Sequence, residues 1–195
     1  MFLSKKMLSF LPMVFFNCAG AAIARDACIS FDGTLQMAFE QRKSINGQPG
    51  ELVGKPKVIT QKVRDDNQQW CVNDVGITYI EKGKPPVIKI NYPFDQGFVD
   101  TEIKSSGLPV AITGIAKKTD NVISVNWLYT IGTKLTQARL SATSMRVEVS
   151  FAFELTGDTC KLNSYKFTYL NNSGNNTGVY TGKKTISSDA TCRLI

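Results

Sequence analysis

Carboxylates are the residues of this chain whose type and spacing could support catalysis. The 195-residue sequence contains no histidine, so it lacks the usual general base near neutral pH and the commonest metal ligand. Ser-His-Asp and Cys-His mechanisms are therefore excluded. Paired carboxylates can hydrolyse glycosidic bonds without histidine, and the candidate acids are Asp65, Asp66, Asp74, Asp95 and Asp100.

A simpler interpretation exists for the first three of these acids. They surround Trp70 and precede or follow Cys71, so they fit a polar turn beside a strand at least as well as an acidic site or a weak calcium site. No EF-hand spacing is present. Phosphate-binding loops also fail, because Pro49 and Pro56 replace required residues around Gly54-Lys55. The sequence thus predicts no catalytic residue, no metal site and no cofactor.

A loop rich in aromatic residues is the best candidate for a binding site. Tyr92, Phe94, Asp95 and Phe98 lie among turn-forming residues, and exposed aromatic rings on a loop can stack on a sugar or anchor a protein partner. The competing interpretation places Tyr92 and Phe94 at the end of a strand, with Phe98 closing one end of the fold. Most aromatic side chains are buried, which favours this competing interpretation.

The first 24 residues are typical of a bacterial secretory signal peptide. Lys5 and Lys6 precede an uncharged, mostly apolar run that ends in Ala22-Ile23-Ala24, a pattern that predicts cleavage before Arg25. An uncleaved anchor is less favoured because Pro12, Asn17 and Gly20 interrupt the run, and the residues before Cys18 do not fit a lipoprotein. We therefore expect a periplasmic or secreted protein that spans no membrane after cleavage.

Cleavage would leave four cysteines, Cys28, Cys71, Cys160 and Cys192. An even number in an oxidising compartment predicts two disulfides. Three pairings are possible, and Cys28–Cys71 with Cys160–Cys192 is favoured because each bond closes a shorter loop.

Alternating apolar and polar residues predict an all-β fold for residues 25–195, read as a single domain. Val122–Ile131 and Arg146–Leu155 alternate with period two, as half-buried antiparallel strands do. Turn residues separate these runs, so we expect an antiparallel meander over about 87–195 that forms a sandwich or a small barrel.

The first part, residues 25–86, is less regular. Residues 28–43 fit either a helix or two strands, and Asp32-Gly33 between alternating apolar residues favours a hairpin. Ser44 to Lys57 contains Asn46-Gly47 and Pro49-Gly50, so it is expected to be a long loop or a poorly ordered excursion.

The charge distribution bears on partners rather than on the fold. The formal net charge is +7, and an exported basic protein would meet acidic envelope surfaces rather than nucleic acid. The main functional expectation is a non-catalytic binding or interaction module whose partner is a protein, glycan or lipid surface of the cell envelope. The alternatives are a carboxylate-based glycan hydrolase and a structural envelope protein without a ligand.

Overall fold

The computed structural model describes residues 27–45, 48–63, 67–82, 87–105, 108–131, 145–172 and 179–195. The predicted signal segment lies outside these ranges, as do Asp65 and Asp66. Within them, no helix is long and apolar enough to cross a membrane.

The described residues form fourteen strands. Their bounds are β1 Ala27–Asp32, β2 Thr34–Ile45, β3 Gln48–Leu52, β4 Lys57–Lys62, β5 Gln68–Val72, β6 Gly76–Glu81, β7 Ile88–Pro93, β8 Val99–Ser105, β9 Leu108–Thr119, β10 Val122–Ile131, β11 Met145–Thr156, β12 Thr159–Asn172, β13 Val179–Ser188 and β14 Thr191–Leu194.

These strands make two antiparallel sheets that pack face to face. The small sheet has the order β14-β1-β5-β6-β7, and the large sheet has the order β3-β2-β13-β12-β11-β10-β9-β8, with β4 also paired to β2. The fold is therefore all-β, as predicted, and of the two predicted architectures it is a sandwich rather than a closed barrel.

The meander predicted over about 87–195 is present for β8 to β13, which are neighbours in chain order in the large sheet, but β7 at its start belongs to the small sheet. Asp120 and Asn121 form the turn between β9 and β10, and Asp120 adopts a φ of 53°. Gly157, with a φ of 56°, begins the turn between β11 and β12. The meander stops before the end of the chain, because β14 returns to the small sheet beside β1.

Two expectations for the first part of the chain are wrong. Residues 28–43 are strands, but they form no hairpin, since β1 pairs with β14 and β5 whereas β2 pairs with β13, β3 and β4. The Asp32-Gly33 pair bends the chain from one sheet into the other. The predicted long loop at 44–57 contains the edge strand β3, where Pro49 is tolerated because an edge strand needs fewer backbone donors.

The core lies between the two sheets and follows the predicted alternation. The small sheet contributes Ile29, Phe31, Trp70, Val72, Ile77, Tyr79, Ile90 and Tyr92. The large sheet contributes Val110, Ile112, Ala116, Ile123, Val125, Val149, Phe151, Phe153 and Leu155.

Both disulfides form with the favoured pairing. Cys28 and Cys71 face each other on β1 and β5 within the small sheet, 3.9 Å apart at Cα. Cys160 on β12 and Cys192 on β14 link the large sheet to the small one. The bonds span 43 and 32 residues, so each stabilises the fold by about 4 kcal/mol in the chain-entropy picture.

Two of the crossings that the chain makes between the sheets lie side by side. The first is Gly33, and the second is the link between β13 and β14 at Asp189 and Ala190. The Asp189 carboxylate accepts hydrogen bonds from the backbone N–H and the hydroxyl of Thr34, and the Asp189 N–H donates to the Thr34 carbonyl at 3.1 Å. The two hydrogen bonds that Thr34 donates lower the pKa of the Asp189 carboxyl, and the bond from the Thr34 backbone N–H contributes most.

Gly33 is required at this crossing for two reasons. Its φ is 109°, which side-chain-bearing residues rarely adopt, and a Cβ would lie 2.8 Å from the Asp189 carbonyl oxygen. We predict that Gly33→Ala lowers the free energy of unfolding by about 2 kcal/mol or more, measured by urea denaturation.

Gly97→Ala is the matched control for this substitution. A Cβ at Gly97 would meet nothing within 4 Å, so the control should change stability by less than about 0.5 kcal/mol. Equal effects of the two substitutions would contradict the role assigned to Gly33.

Candidate functional site

The residues of the predicted aromatic loop differ in their exposure to solvent. Tyr92 is fully buried at the end of β7, and Phe94 is partly buried against the core. Asp95 is exposed in the turn that follows. Phe98 is 63% exposed in the connection that takes the chain from β7 of the small sheet to β8 of the large sheet.

The candidate acids that the structure describes occupy different settings. Asp74 is exposed in the turn between β5 and β6, and Asp95 in the turn after β7. Asp100 lies on β8, where its carboxylate accepts a hydrogen bond of 2.6 Å from the Thr113 hydroxyl. Among the described residues, no three or more histidine, cysteine, aspartate or glutamate side chains are grouped so that they could hold a metal ion.

A cluster of aromatic rings fills the middle of the sandwich. Trp70 lies at its centre, with ring centroids 4.9 Å from both Tyr79 and Phe151 and 6.2 Å from Trp127. Such spacings are favourable for aromatic pairs. The cluster therefore couples β5 and β6 of the small sheet to β10 and β11 of the large sheet.

A hydrogen bond between the sheets fixes one side of this cluster. The Trp127 indole N–H donates to the Tyr92 hydroxyl at 2.9 Å. Gly114 lies opposite Trp127 on β9, and a Cβ there would come within 2.4 Å of the Tyr92 ring. The absence of a side chain at Gly114 thus makes the space that Tyr92 occupies.

The sheets separate beside the cluster and leave an open cleft. It has a volume of about 390 Å³ and lies where β6 ends and β11 begins. Five of its lining residues are aromatic: Tyr79, Trp127, Tyr129, Tyr165 and Phe167. We call this feature the inter-sheet cleft. Small-molecule sites are usually concave, mostly apolar and of this order of size.

The inter-sheet cleft also carries a few polar groups. Gln61, Lys62, Gln68 and Glu81 belong to its lining, and the Glu81 carboxylate accepts a hydrogen bond of 2.9 Å from the Tyr79 hydroxyl. Burial, and next the negative charge of Glu81, raise the pKa of Tyr129 above its usual value. The cleft surface is therefore divided about equally between apolar ring faces and polar groups, of which Glu81 is held by its hydrogen bond with Tyr79.

The cleft continues inward into a smaller space next to Trp70. This space has a volume of about 30 Å³, and Phe31 lies on its other side. Val63, Trp127 and Tyr165 line both spaces. Gln68 also lines both spaces, so the deep end of the cleft is narrow and mostly aromatic, whereas Gln61, Lys62 and Glu81 line its open end.

The chain matches no known family. No protein-family model, no curated protein and no solved structure shows significant similarity to it. The site must therefore be interpreted from its own geometry.

Sequence reasoning did not identify the residues of this cleft. Alternation along Val122–Ile131 places Trp127 and Tyr129 on one face of a predicted strand, but it does not show where two sheets separate. The one available signal is the concentration of tyrosine and tryptophan on β6, β10 and β12, since these side chains combine a large apolar ring with a polar tip.

The buried tyrosines give a prediction about alkaline pH. Burial raises the pKa of Tyr165 to about 12 and that of Tyr92 above its usual value, whereas in the unfolded chain both ionise near pH 10. Stability should be unaffected by these groups below about pH 10 and should fall as the pH rises toward 12, because the unfolded chain then releases protons that the folded protein retains.

Urea denaturation at about pH 9 and pH 11 measures this effect. The variant Tyr165→Phe removes one of the titrating groups, so its stability should decline less steeply over that interval. If the free energy of unfolding fell equally in the variant and in the unaltered protein between these pH values, the prediction would be wrong.

Proposed function

We propose that the protein is a non-catalytic binding module of the bacterial periplasm or cell surface that holds a small amphipathic molecule in the inter-sheet cleft. The observation that carries the proposal is the set of five aromatic side chains around an opening of about 390 Å³. A closed core would have packed these rings against one another without leaving accessible space.

The lining supports a ligand with a flat apolar body and a polar end. The ring faces of Trp127 and Tyr129, stacked at 5.7 Å, offer a broad apolar surface. Gln61, Gln68 and Glu81 provide hydrogen-bonding groups that would orient the polar end of the ligand.

The composition of the cleft also supports binding without catalysis. Glycosidases ordinarily use two carboxylates that face each other across the substrate, and among the described residues that line the cleft Glu81 is the one carboxylate. The disulfides are consistent with an oxidising, extracellular location.

The proposal predicts saturable binding of a neutral aromatic probe. Titration of the protein with N-phenyl-1-naphthylamine should give a fluorescence increase with one binding site per chain. Val147→Trp would fill part of the cleft, because Val147 lines it, and should raise the dissociation constant at least about tenfold, equivalent to about 1.4 kcal/mol.

Val75→Trp is the matched control. Val75 is 73% exposed in the turn between β5 and β6, at the opposite end of that hairpin from the cleft, so this variant should bind the probe like the unaltered protein. An absence of saturable binding would overturn the proposal and favour a structural protein without a ligand. Equal affinities of the two tryptophan variants would place the probe elsewhere.

A further inference from the structure

A second concave site lies on the outer face of the large sheet, on the side away from the core. It is a groove with a volume of about 460 Å³, which we call the outer groove. Phe98 forms part of its wall, and its floor is made by side chains of β9 to β12. Trp127 and Val149 border both this groove and the inter-sheet cleft.

The floor of the outer groove consists of two rows of side chains that run across the strands. Strand register places Thr113, Leu128, Glu148 and Thr168 in one row and Asn126, Ser150 and Lys166 in the next. Adjacent strands are about 4.8 Å apart, so each row offers a hydrogen-bonding or charged group at nearly every strand.

Several of these groups are held in place by neighbours. The Thr113 hydroxyl donates to Asp100 at 2.6 Å, and the Arg146 guanidinium donates to the Glu148 carboxylate. Both members of this ion pair are half-exposed, so the pair can contact a bound molecule. The groove therefore combines positioned polar side chains with apolar surface that includes Phe98 and Leu128.

This combination fits a carbohydrate better than a protein. A stable protein interface needs about 800 Å² per partner with an apolar centre, whereas the outer groove offers one exposed aromatic ring above a polar floor. Sugars present apolar ring faces that stack on aromatic side chains, together with hydroxyl groups that pair with amide, hydroxyl and charged side chains.

The charges of the lining indicate an acidic sugar. Its charged side chains are Arg146, Lys166 and Glu148 at the β11–β12 end, and the Asp100 carboxylate lies beside Thr113 at the β8–β9 end. Because Glu148 is already paired with Arg146, Lys166 adds a positive charge beside the pair. A carboxylate or phosphate on the sugar would be attracted to this charge.

The same register argues against cleavage of a bound chain in the groove. Asp100 and Glu148 lie in one row but are separated by three strand spacings, about 14 Å. Paired glycosidase carboxylates lie about 5 to 10 Å apart. We propose that the outer groove binds an acidic oligosaccharide without hydrolysing it, independently of the inter-sheet cleft.

Isothermal titration calorimetry with a galacturonic acid oligomer tests this inference, with a neutral galactose oligomer of the same length as the comparison. The protein should bind the acidic oligomer at least about tenfold more tightly than the neutral one, and the difference should shrink as salt is raised. Failure to bind the acidic oligomer, or equal affinity for both, would overturn the inference.

Two variants locate the site. Phe98→Ala should weaken binding of the acidic oligomer about tenfold through lost stacking, and Lys166→Glu should do so through reversed charge. Their controls are Val75→Ala and Lys89→Glu, exposed residues of the small sheet, which should change the affinity less than about twofold. The assignment would be contradicted if the control variants lost binding of the acidic oligomer, or if the test variants bound it as tightly as the unaltered protein.

Two further measurements separate the competing explanations. Val147→Trp blocks the inter-sheet cleft and should leave oligosaccharide binding unchanged, so the two proposed sites can fail independently. In a sedimentation assay with vesicles of anionic phospholipid, the unaltered protein and the Phe98→Ala variant should behave alike, because no binding to the vesicles should depend on Phe98. Binding of such vesicles without binding of the oligomer would overturn the inference in favour of a lipid headgroup.

Discussion

The hydrogen bond from Trp127 to Tyr92 is the contact on which the arrangement of the two sheets depends. It joins β10 to β7 at 2.9 Å, and it exists because Gly114 leaves room for the Tyr92 ring. A buried donor without a partner costs about 1 to 3 kcal/mol, so the indole N–H and the phenol hydroxyl hold each other in one geometry. This geometry also sets the position of Trp127 in the wall of the inter-sheet cleft.

The connections between the sheets act together with this contact. At one place the chain crosses twice, at Gly33 and at Asp189, and the two crossings are joined by hydrogen bonds to Thr34. Near the end of the chain, Cys160–Cys192 attaches β14 to β12. The small sheet is thus held at β14 by a covalent bond and at β7 by the Trp127 contact. The cleft opens between these two attachments, beside the aromatic cluster around Trp70.

Much of the fold could be predicted from the sequence because it depends on local pattern. Alternation of apolar and polar residues identifies β10 and β11, and turn residues between the alternating runs indicate a meander. The even number of cysteines, together with the pairing that closes the shorter loops, predicts both disulfides. The pairing of β1 could not be predicted in this way. Asp32-Gly33 has the same local conformational preference whether it closes a hairpin or redirects the chain into the other sheet. Which of the two forms depends on contacts with the segment around β14, more than 150 residues later. There the Asp189 carboxylate accepts a hydrogen bond from the Thr34 N–H.

The candidate sites could not be predicted from the sequence for a related reason. A strand places its residues on two faces, and the sequence shows which residues share a face but not how far that face lies from the opposite sheet. Trp127 and Leu128 are adjacent on β10, yet one side chain lies in the aromatic cluster with Trp70 and the other belongs to a row on the outer floor. A single regular strand therefore contributes to two separate concave surfaces. The large sheet can support both because it is wider than the small sheet and its outer face carries polar side chains in register.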